Sequence, residues 1–360
     1  MLPNIQAIIL AGGTCEKFQT GKTKFIEKIC GTPMILYPLN LMESLKIPTT
    51  IVIGPQSEDL KKIIYKHNSN STVLLQQEAL GSGHAAQLSQ PTWNQNHILI
   101  MNGNIPLITS DIIYKLYRKH IKLDADVSFI TAHTQDITTS SHSRVVIDNN
   151  QIQVKPSNHC NVDNNTQCCI SAGIYLIKKS CLEQCIHLLS KNETTGQFYL
   201  PELIQIASQH RAKIITTEVS LDIIRSVDTL ADLWAVEHIK RSELLQHWMD
   251  HGVRFANTFS VHIDSSVRIQ PGSYIGAGAL LIGQTTIKTG AHIGAYTRIE
   301  NSIIENHVTI PDHVIITNSI ITQSANLKPF TNIEGLSPKS NHDAMFAGAF
   351  KTGFQDQHNF

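Results

Sequence analysis

HIDSSVRIQPGSYIGAGALLIGQTTIKTGAHIGAYTRIE, residues 262–300, places an aliphatic side chain at every sixth position: Ile263, Ile269, Ile275, Leu281, Ile287, Ile293 and Ile299. Chance does not readily keep that spacing. Ile304, Ile310, Ile316, Ile321 and Leu327 continue it with two five-residue steps. A strict hexapeptide period reads as a short left-handed parallel β-helix, each aliphatic group pointing inward and stacking above its counterpart in the next coil. About three hexads per coil give roughly four coils. Gly272, Gly276, Gly278, Gly283, Gly290 and Gly294 are expected at corners that need permissive backbone angles. The repeat stops past Phe330, and the polar stretch Ser337 to Phe360 is expected to lack packed structure.

Upstream the pattern changes. Short β-rich apolar runs, Gln6 to Leu10, Thr50 to Ile53, Thr72 to Leu75, His97 to Met101 and Val127 to Thr131, alternate with helical stretches at Met34 to Leu45 and Ser110 to His120. That alternation predicts an α/β fold with a largely parallel sheet, whose ligands bind at the carboxyl ends of the strands. Paired short strands between Ser143 and Val154, with another at Cys169 to Ile177, predict an antiparallel insertion forming one wall of the pocket. Thr229 to Met249 carries apolar residues at helical spacing behind a Thr229-x-x-Asp232 capping pattern and reads as a connecting helix. The expected organisation is 1–228, a nucleotide-binding domain; 229–256, the connecting helix; 257–330, the β-helix; and 331–360, the tail.

Composition narrows the partners. With 29 Lys+Arg against 29 Asp+Glu there is no net charge and no basic block, which argues against nucleic acid. No segment approaches the roughly 20 apolar residues of a membrane span. The seven cysteines include no C-x-x-C pair, so neither a disulfide framework nor a zinc site is spelled out, and a reduced, cytoplasmic setting is expected. The 18 histidines are scattered, with His292, His307 and His313 at outward positions of the coils.

Three segments can carry chemistry. Leu10-Ala11-Gly12-Gly13-Thr14 follows the first strand and precedes a loop with Lys17, Lys22 and Lys24, which suits phosphate and equally suits a tight turn followed by a solvated basic loop. Gln76 to Ala85 places Gly81, Ser82 and Gly83 before a helix start; Gln76 can read a base edge, and Ser82 can instead be a plain helix N-cap. Asn102-Gly103-Asn104-Ile105-Pro106 ends a strand, where polar oxygens can meet a metal, or where Asn-Gly and Pro simply mark a turn.

Together and in this order, these segments, with Gly196-Gln197-Phe198-Tyr199, the helix after Ser226-Val227-Asp228 and the hexapeptide repeat, resemble the bacterial N-acetylglucosamine-1-phosphate uridyltransferases over about residues 5–330. The resemblance implies a Rossmann-like, GT-A-type nucleotidyltransferase domain. It implies a reaction in which the phosphate of a sugar 1-phosphate attacks the α-phosphorus of Mg²⁺-bound UTP and pyrophosphate leaves, with positioning and electrostatics carrying catalysis. Carried onto this chain, it assigns Leu10, Ala11, Gly12 and Gly13 to the nucleotide, Lys24 and Lys17 to phosphate, Gln76, Gly81 and Ser82 to the uracil side, and Asn102, Ser143, Ser171 and Tyr199 to the sugar.

Departures from the family pattern matter as much. Thr14-Cys15-Glu16-Lys17 replaces a Gly-Thr-Arg sequence, so Lys17 keeps charge without the planar fork of arginine. Asn104 stands at the family's metal-binding Asp and Asp228 at its metal-binding Asn, which predicts an exchanged Mg²⁺ pair; the competing reading is that Asp228 merely favours a helix N-terminus. Ser143, Ser171 and Pro201 alter the sugar wall. The C-terminal repeat ends where the family's acetyltransferase contacts begin, so acetyl transfer is not expected, while a homotrimer through the β-helix is. The opposing readings are a non-catalytic nucleotide-binding or oligomerising relative, and a transferase for a different sugar 1-phosphate.

Overall fold

The computed structural model describes residues 2–13, 18, 23–55, 57–68, 71–134, 143–148, 151–155 and 168–335. The chain divides into two compact units: Met1–Glu27 with Pro33–Val236, and Lys28–Thr32 with Glu237–Phe360.

The first unit is built on one sheet. Its elements are β1 (Ile5–Ala11), α1 (Leu36–Ser44), β2 (Thr49–Ile53), α2 (Glu58–His67), β3 (Thr72–Leu75), α3 (Gly81–Leu88), β4 (His97–Asn102), α4 (Ser110–Lys122), β5 (Val127–Thr134), β6 (Arg144–Asp148), β7 (Gln151–Lys155), β8 (Cys168–Lys178), α5 (Lys179–Cys185), α6 (Glu202–Gln209) and β9 (Ile214–Glu218). The strand order is β9-β5-β8-β4-β1-β2-β3, with β6 and β7 as a hairpin attached to β8. β1 pairs in parallel with both β2 and β4, so its carboxyl end opens at the middle of the parallel part. All seven residues of β1 are buried, as a strand covered on both faces requires.

β8 corrects one expectation. It is not part of a pocket wall beside the sheet but runs antiparallel inside it, between β4 and β5. Successive residues Ile174, Tyr175, Leu176 and Ile177 are all buried, the signature of a strand covered on both faces. The register of β8 against β5 breaks between Ser171 and Tyr175, around Gly173 at φ +70°.

The helix α7 (Leu230–Asp250) is capped at its start by Thr229 and Asp232: Thr229 N–H donates to Asp232 Oδ2 at 2.8 Å, and Asp232 N–H to Thr229 Oγ1 at 3.1 Å. The predicted capping pattern is thus formed.

The second unit is a three-faced parallel β-helix. Strands around Ile263, Leu281, Ile299, Ile316 and Ile333 stack in one sheet, those around Ile269, Ile287, Ile304 and Ile321 in a second, and those around Phe255, Ile275, Ile293 and Ile310 in a third. Ile263, Ile275, Leu281, Ile287, Ile293 and Ile299 are fully buried. The coil extends to Asn332–Glu334, so the first residues of the expected tail at 331–360 belong to the β-helix; residues 336–360 lie outside the described residues. Lys28–Thr32 joins this unit: Cys30 C=O accepts from Ser265 N–H at 2.9 Å, and a Cβ on Gly31 would strike the Asp264 carboxyl group.

The corners use glycine in two ways. Gly272, Gly278, Gly283 and Gly290 have positive φ, and His307, Tyr296, His313, Asn301 and Asn318 adopt the same conformation in later coils. Gly276 and Gly294 do not. Their requirement is space, because an added Cβ would lie 2.6 Å from Ala295 N and 2.4 Å from Pro311 C respectively. Outward histidines stack on rings: His292 on Tyr274 at 4.4 Å, and His313 between Tyr296 and Phe330 at 5.2 and 4.8 Å.

Candidate functional site

A cleft of about 330 Å³ in the first unit is lined from three directions. The carboxyl end of β1 contributes Leu10, Gly12 and Gly13; the segment after β4 contributes Asn102 and Asn104; and the loop from Gln76 into α3 contributes Ala79, Gly81, Ser82 and Ala85. Lys24, Phe25, Gln197, Tyr199 and Asp228 complete it. This is the strand edge at which such sheets hold ligands.

Glycine matters most at Gly12 and Gly81. A Cβ at Gly12 would come 2.6 Å from Gln76 Oε1, and Gly81 has φ +91° with Phe198 O 2.5 Å from where its Cβ would stand. The Gln76–Gly83 loop is held by the Gln197–Leu200 segment: Gly83 N–H donates to Phe198 C=O, Phe198 N–H to Leu80 C=O, and Leu200 N–H to Ser82 Oγ at 3.0 Å. Ser82 therefore ties two segments together and is not the N-cap of α3; Leu80 is.

At the polar end, Asp228 is the meeting point. Its Oδ1 accepts from Lys24 Nζ at 2.5 Å and from Asn104 Nδ2 at 3.1 Å, and its Oδ2 accepts from Ser226 Oγ at 3.0 Å. Asn104 is locked to the same segment, donating from Nδ2 to Val227 C=O at 3.2 Å while its own C=O accepts Val227 N–H at 2.9 Å. The carboxylate of Asp228 faces these partners, whereas its N–H donates to Asp232 Oδ2, the group that caps α7. Asp228 therefore offers no side-chain cap to α7, although its charge stands two residues before the helix start. Lys24, buried like Asn104, also lies 5.7 Å from the Phe25 ring centre.

The remaining expected residues separate. Ala11 is a buried strand residue beneath the cleft. Ser171 is buried inside the sheet, its hydroxyl 3.2 Å from Tyr175 Oη, and does not line the cleft. Ser143 is half-buried, pairs through its C=O with Ser171 N–H, and does not line it either. Both positions came from the family resemblance, which does not fix side-chain direction beside the break in register at Ser171. Tyr199 lines the cleft with its hydroxyl donating to Thr195 Oγ1 at 2.9 Å. Lys17 lies outside the described residues. Phe25, Ala79, Ala85 and Gln197 were not assigned a role; Ala79 and Ala85 fall inside the Gln76–Ala85 segment and Gln197 inside the Gly196–Tyr199 segment, whereas Phe25 had no signal.

A hard cation beside phosphates takes oxygen ligands, and few of them need come from the protein. The Asp228 carboxylate and the Asn104 amide, joined through Asn104 Nδ2, carry one charged and one neutral set of oxygens of the kind that requirement names. No cluster of three or more His, Cys, Asp or Glu residues suited to a metal occurs among the described residues.

Comparison with known proteins gives the family of this fold. The family model for the MobA-like NTP transferase domain matches residues 7–202, and that for the GMPPB C-terminal domain matches residues 260–342. The bifunctional protein GlmU of Nitratiruptor sp. is 27% identical over 89% of this chain and 73% of its own length. That of Exiguobacterium sibiricum is 27% identical over 91% of this chain and 73% of its own length. The solved inositol-1-phosphate CTP transferase from T. maritima superposes with a TM-score of 0.51 at 15% identity, covering 63% of this chain and 90% of that one, a likeness of fold. No helix among the described residues is long and apolar enough to cross a membrane.

Proposed function

The chain belongs to the MobA-like NTP transferase domain family, and from that premise we propose that it transfers a uridylyl group from UTP to a sugar 1-phosphate, N-acetylglucosamine 1-phosphate, giving UDP-N-acetylglucosamine and pyrophosphate. The observation that carries this reading is the convergence of Lys24, Asn104 and Asp228 in a cleft that Gln76 and Gly81 also line. The GlmU relatives supply the sugar nucleotide chemistry by likeness.

The chain's own residues have separable tasks. Gly12 and Gly13 let the backbone approach phosphate. Lys24 offsets the charge of two anions that must meet, and a buried ammonium does so more strongly than one in water. Asp228 and Asn104 are the residues that would hold Mg²⁺, which supplies charge neutralisation across the phosphates. The acceptor phosphate oxygen forms the new bond to the α-phosphorus as the bond to the departing pyrophosphate breaks; no protein nucleophile takes part. Asn102 and Tyr199 remain as sugar contacts after Ser143 and Ser171 fall outside the cleft.

That reduced sugar wall favours one further reading, a different sugar 1-phosphate as acceptor. Pyrophosphate release from purified full-length protein, measured with UTP, Mg²⁺ and each of several sugar 1-phosphates, tests both. Release only when all three components are present supports transfer, and the best acceptor identifies the sugar. Tight UTP binding with no release on any acceptor identifies a non-catalytic nucleotide-binding relative and overturns the proposal. A cytoplasmic homotrimer assembled through the β-helix belongs to the same reading; a mass of three chains in solution supports it and a monomer refutes it.

A further inference from the structure

Gln76 enters the cleft already oriented, and the residue that orients it lies outside the lining. Its side chain is 2% exposed. Nε2 donates to Gly81 C=O at 3.1 Å and makes a second contact of 2.9 Å with His84 Nδ1. A main-chain carbonyl can only accept, so the amide end that faces it is the NH₂. Both amide protons are then used, and His84 must accept at Nδ1 with its own proton on Nε2. The other end, Oε1, stands against Gly12 and has no hydrogen-bond partner among the described residues. On a side chain that lines the cleft, this carbonyl oxygen is thus an acceptor open to a donor.

Resting on the uridylyl-transfer reading, we propose that His84 is a positioning residue for base selection: with Gly81 C=O it holds Gln76 carbonyl-inward, so that the cleft favours a base with an N–H at ring position 3. Uracil has that N–H. Cytosine presents a lone pair at the same position, which opposes the Gln76 carbonyl. His84 touches no substrate in this scheme and acts through Gln76 alone. Loss of one of the two acceptors lets the amide rotate, and the discrimination between the two pyrimidines falls.

The test uses the full-length protein with Mg²⁺, measuring UTP and CTP affinity by calorimetry and, where turnover occurs, KM and kcat for each. His84→Leu removes the acceptor and keeps bulk. His84→Asn places its Oδ1 where Nδ1 stood and restores an acceptor, while His84→Gln puts its polar end where Nε2 stood and serves as a second loss variant. Unchanged melting temperatures show that each has folded. The UTP-to-CTP preference is expected to fall about tenfold in the Leu and Gln variants, the magnitude of one buried hydrogen bond. The loss falls on KM for UTP and not on kcat, and Asn stays within about twofold of the wild type. A wild-type preference retained in the Leu and Gln variants, or an Asn variant as impaired as Leu, overturns the inference and leaves uridylyl transfer standing. A wild type that binds CTP as tightly as UTP, or binds neither, overturns the uridylyl reading and this inference with it.

Discussion

Asp228 and Lys24 form an ion pair at 2.5 Å whose side chains are only 23% and 9% exposed. Their positions are 204 residues apart in sequence, so the pair joins the chain's beginning to the segment before α7 at the lining of the cleft. A carboxylate placed there offsets a buried ammonium. On the proposed reaction, arriving phosphates would give that ammonium alternative partners and leave the carboxylate to a cation.

From this follows the sharpest prediction for the exchanged pair. Asp228→Ala should lower Mg²⁺-dependent pyrophosphate release by a hundredfold or more, on the order of the effect of losing a direct charge contact in a water-poor site. Asn104→Asp should keep metal-dependent turnover, since it adds a carboxylate beside the existing one. Asp228→Ala should also lower unfolding free energy by about 3 kcal/mol, because Lys24 is left buried without that counter-charge. Steady-state release assays and urea titration check the two effects separately. Full activity in the alanine variant would rule out the exchanged metal pair.

Gly12→Ala addresses the base end. The new methyl would stand 2.6 Å from Gln76 Oε1, so either Gln76 moves or the loop does. We expect KM for UTP to rise about tenfold with little change in melting temperature, the cost being borne by one displaced amide. Gly13→Ala is the control: a Cβ there meets nothing within 4 Å. Equal effects from both substitutions would contradict the steric account.

How much of this was legible in the sequence depends on the range over which each feature is determined. The β-helix was plain because its period recurs locally, and Ile275, Ile293 and Ile310 fall in register one above another as the spacing requires. The parallel strands from Ile5–Ala11 to Val127–Thr134 were visible as apolar runs with turn signals. Placement of Cys168–Lys178 within the sheet was not, since an apolar run records burial and not its neighbours. Lys28–Thr32 gave no sign of joining the second unit, because its contacts with Asp264 and Ser265 depend on residues more than 200 positions away. The meeting of Lys24, Asn104 and Asp228 came from family resemblance. The orienting role of His84 needed coordinates, since the sequence shows a histidine in a helix but not which nitrogen faces an amide.

A buried histidine beside a half-buried one predicts how stability responds to acid. His120 is fully buried, with Nδ1 2.6 Å from Ser128 Oγ and Nε2 3.1 Å from His97 Nδ1. Burial first, then neighbouring His97 and Lys178, push its pKa down from 6.5 to about 4. The unfolded chain therefore takes up a proton near pH 6.5 while the folded one does not until about pH 4. Stability from this group is complete above pH 6.5 and is lost as pH falls toward 4, amounting to about 2 kcal/mol between pH 6.5 and pH 5. Denaturant titrations at both pH values should show that loss in the wild type and a shallower one in His120→Asn. An identical slope in both proteins would assign the acid sensitivity elsewhere.

The β-helix corners separate backbone conformation from hydrogen bonding at one residue. Asn301 has φ +48°, and its Oδ1 accepts from Gln284 N–H of the preceding coil at 3.0 Å. It stacks over Gly283, whose Cβ would lie 2.2 Å from that same oxygen. Asn301→Gly keeps the backbone conformation available but removes the acceptor, a loss of about 1 kcal/mol. Asn301→Ala removes the acceptor and places a Cβ in the left-handed region as well, raising the loss to about 2 kcal/mol. Asn301→Asp retains an acceptor and should fall least. Urea titration of the full chain, followed by circular dichroism, orders the three. An alanine variant more stable than the glycine variant would show that the corner tolerates a side chain without strain and that the amide ladder alone fixes its shape.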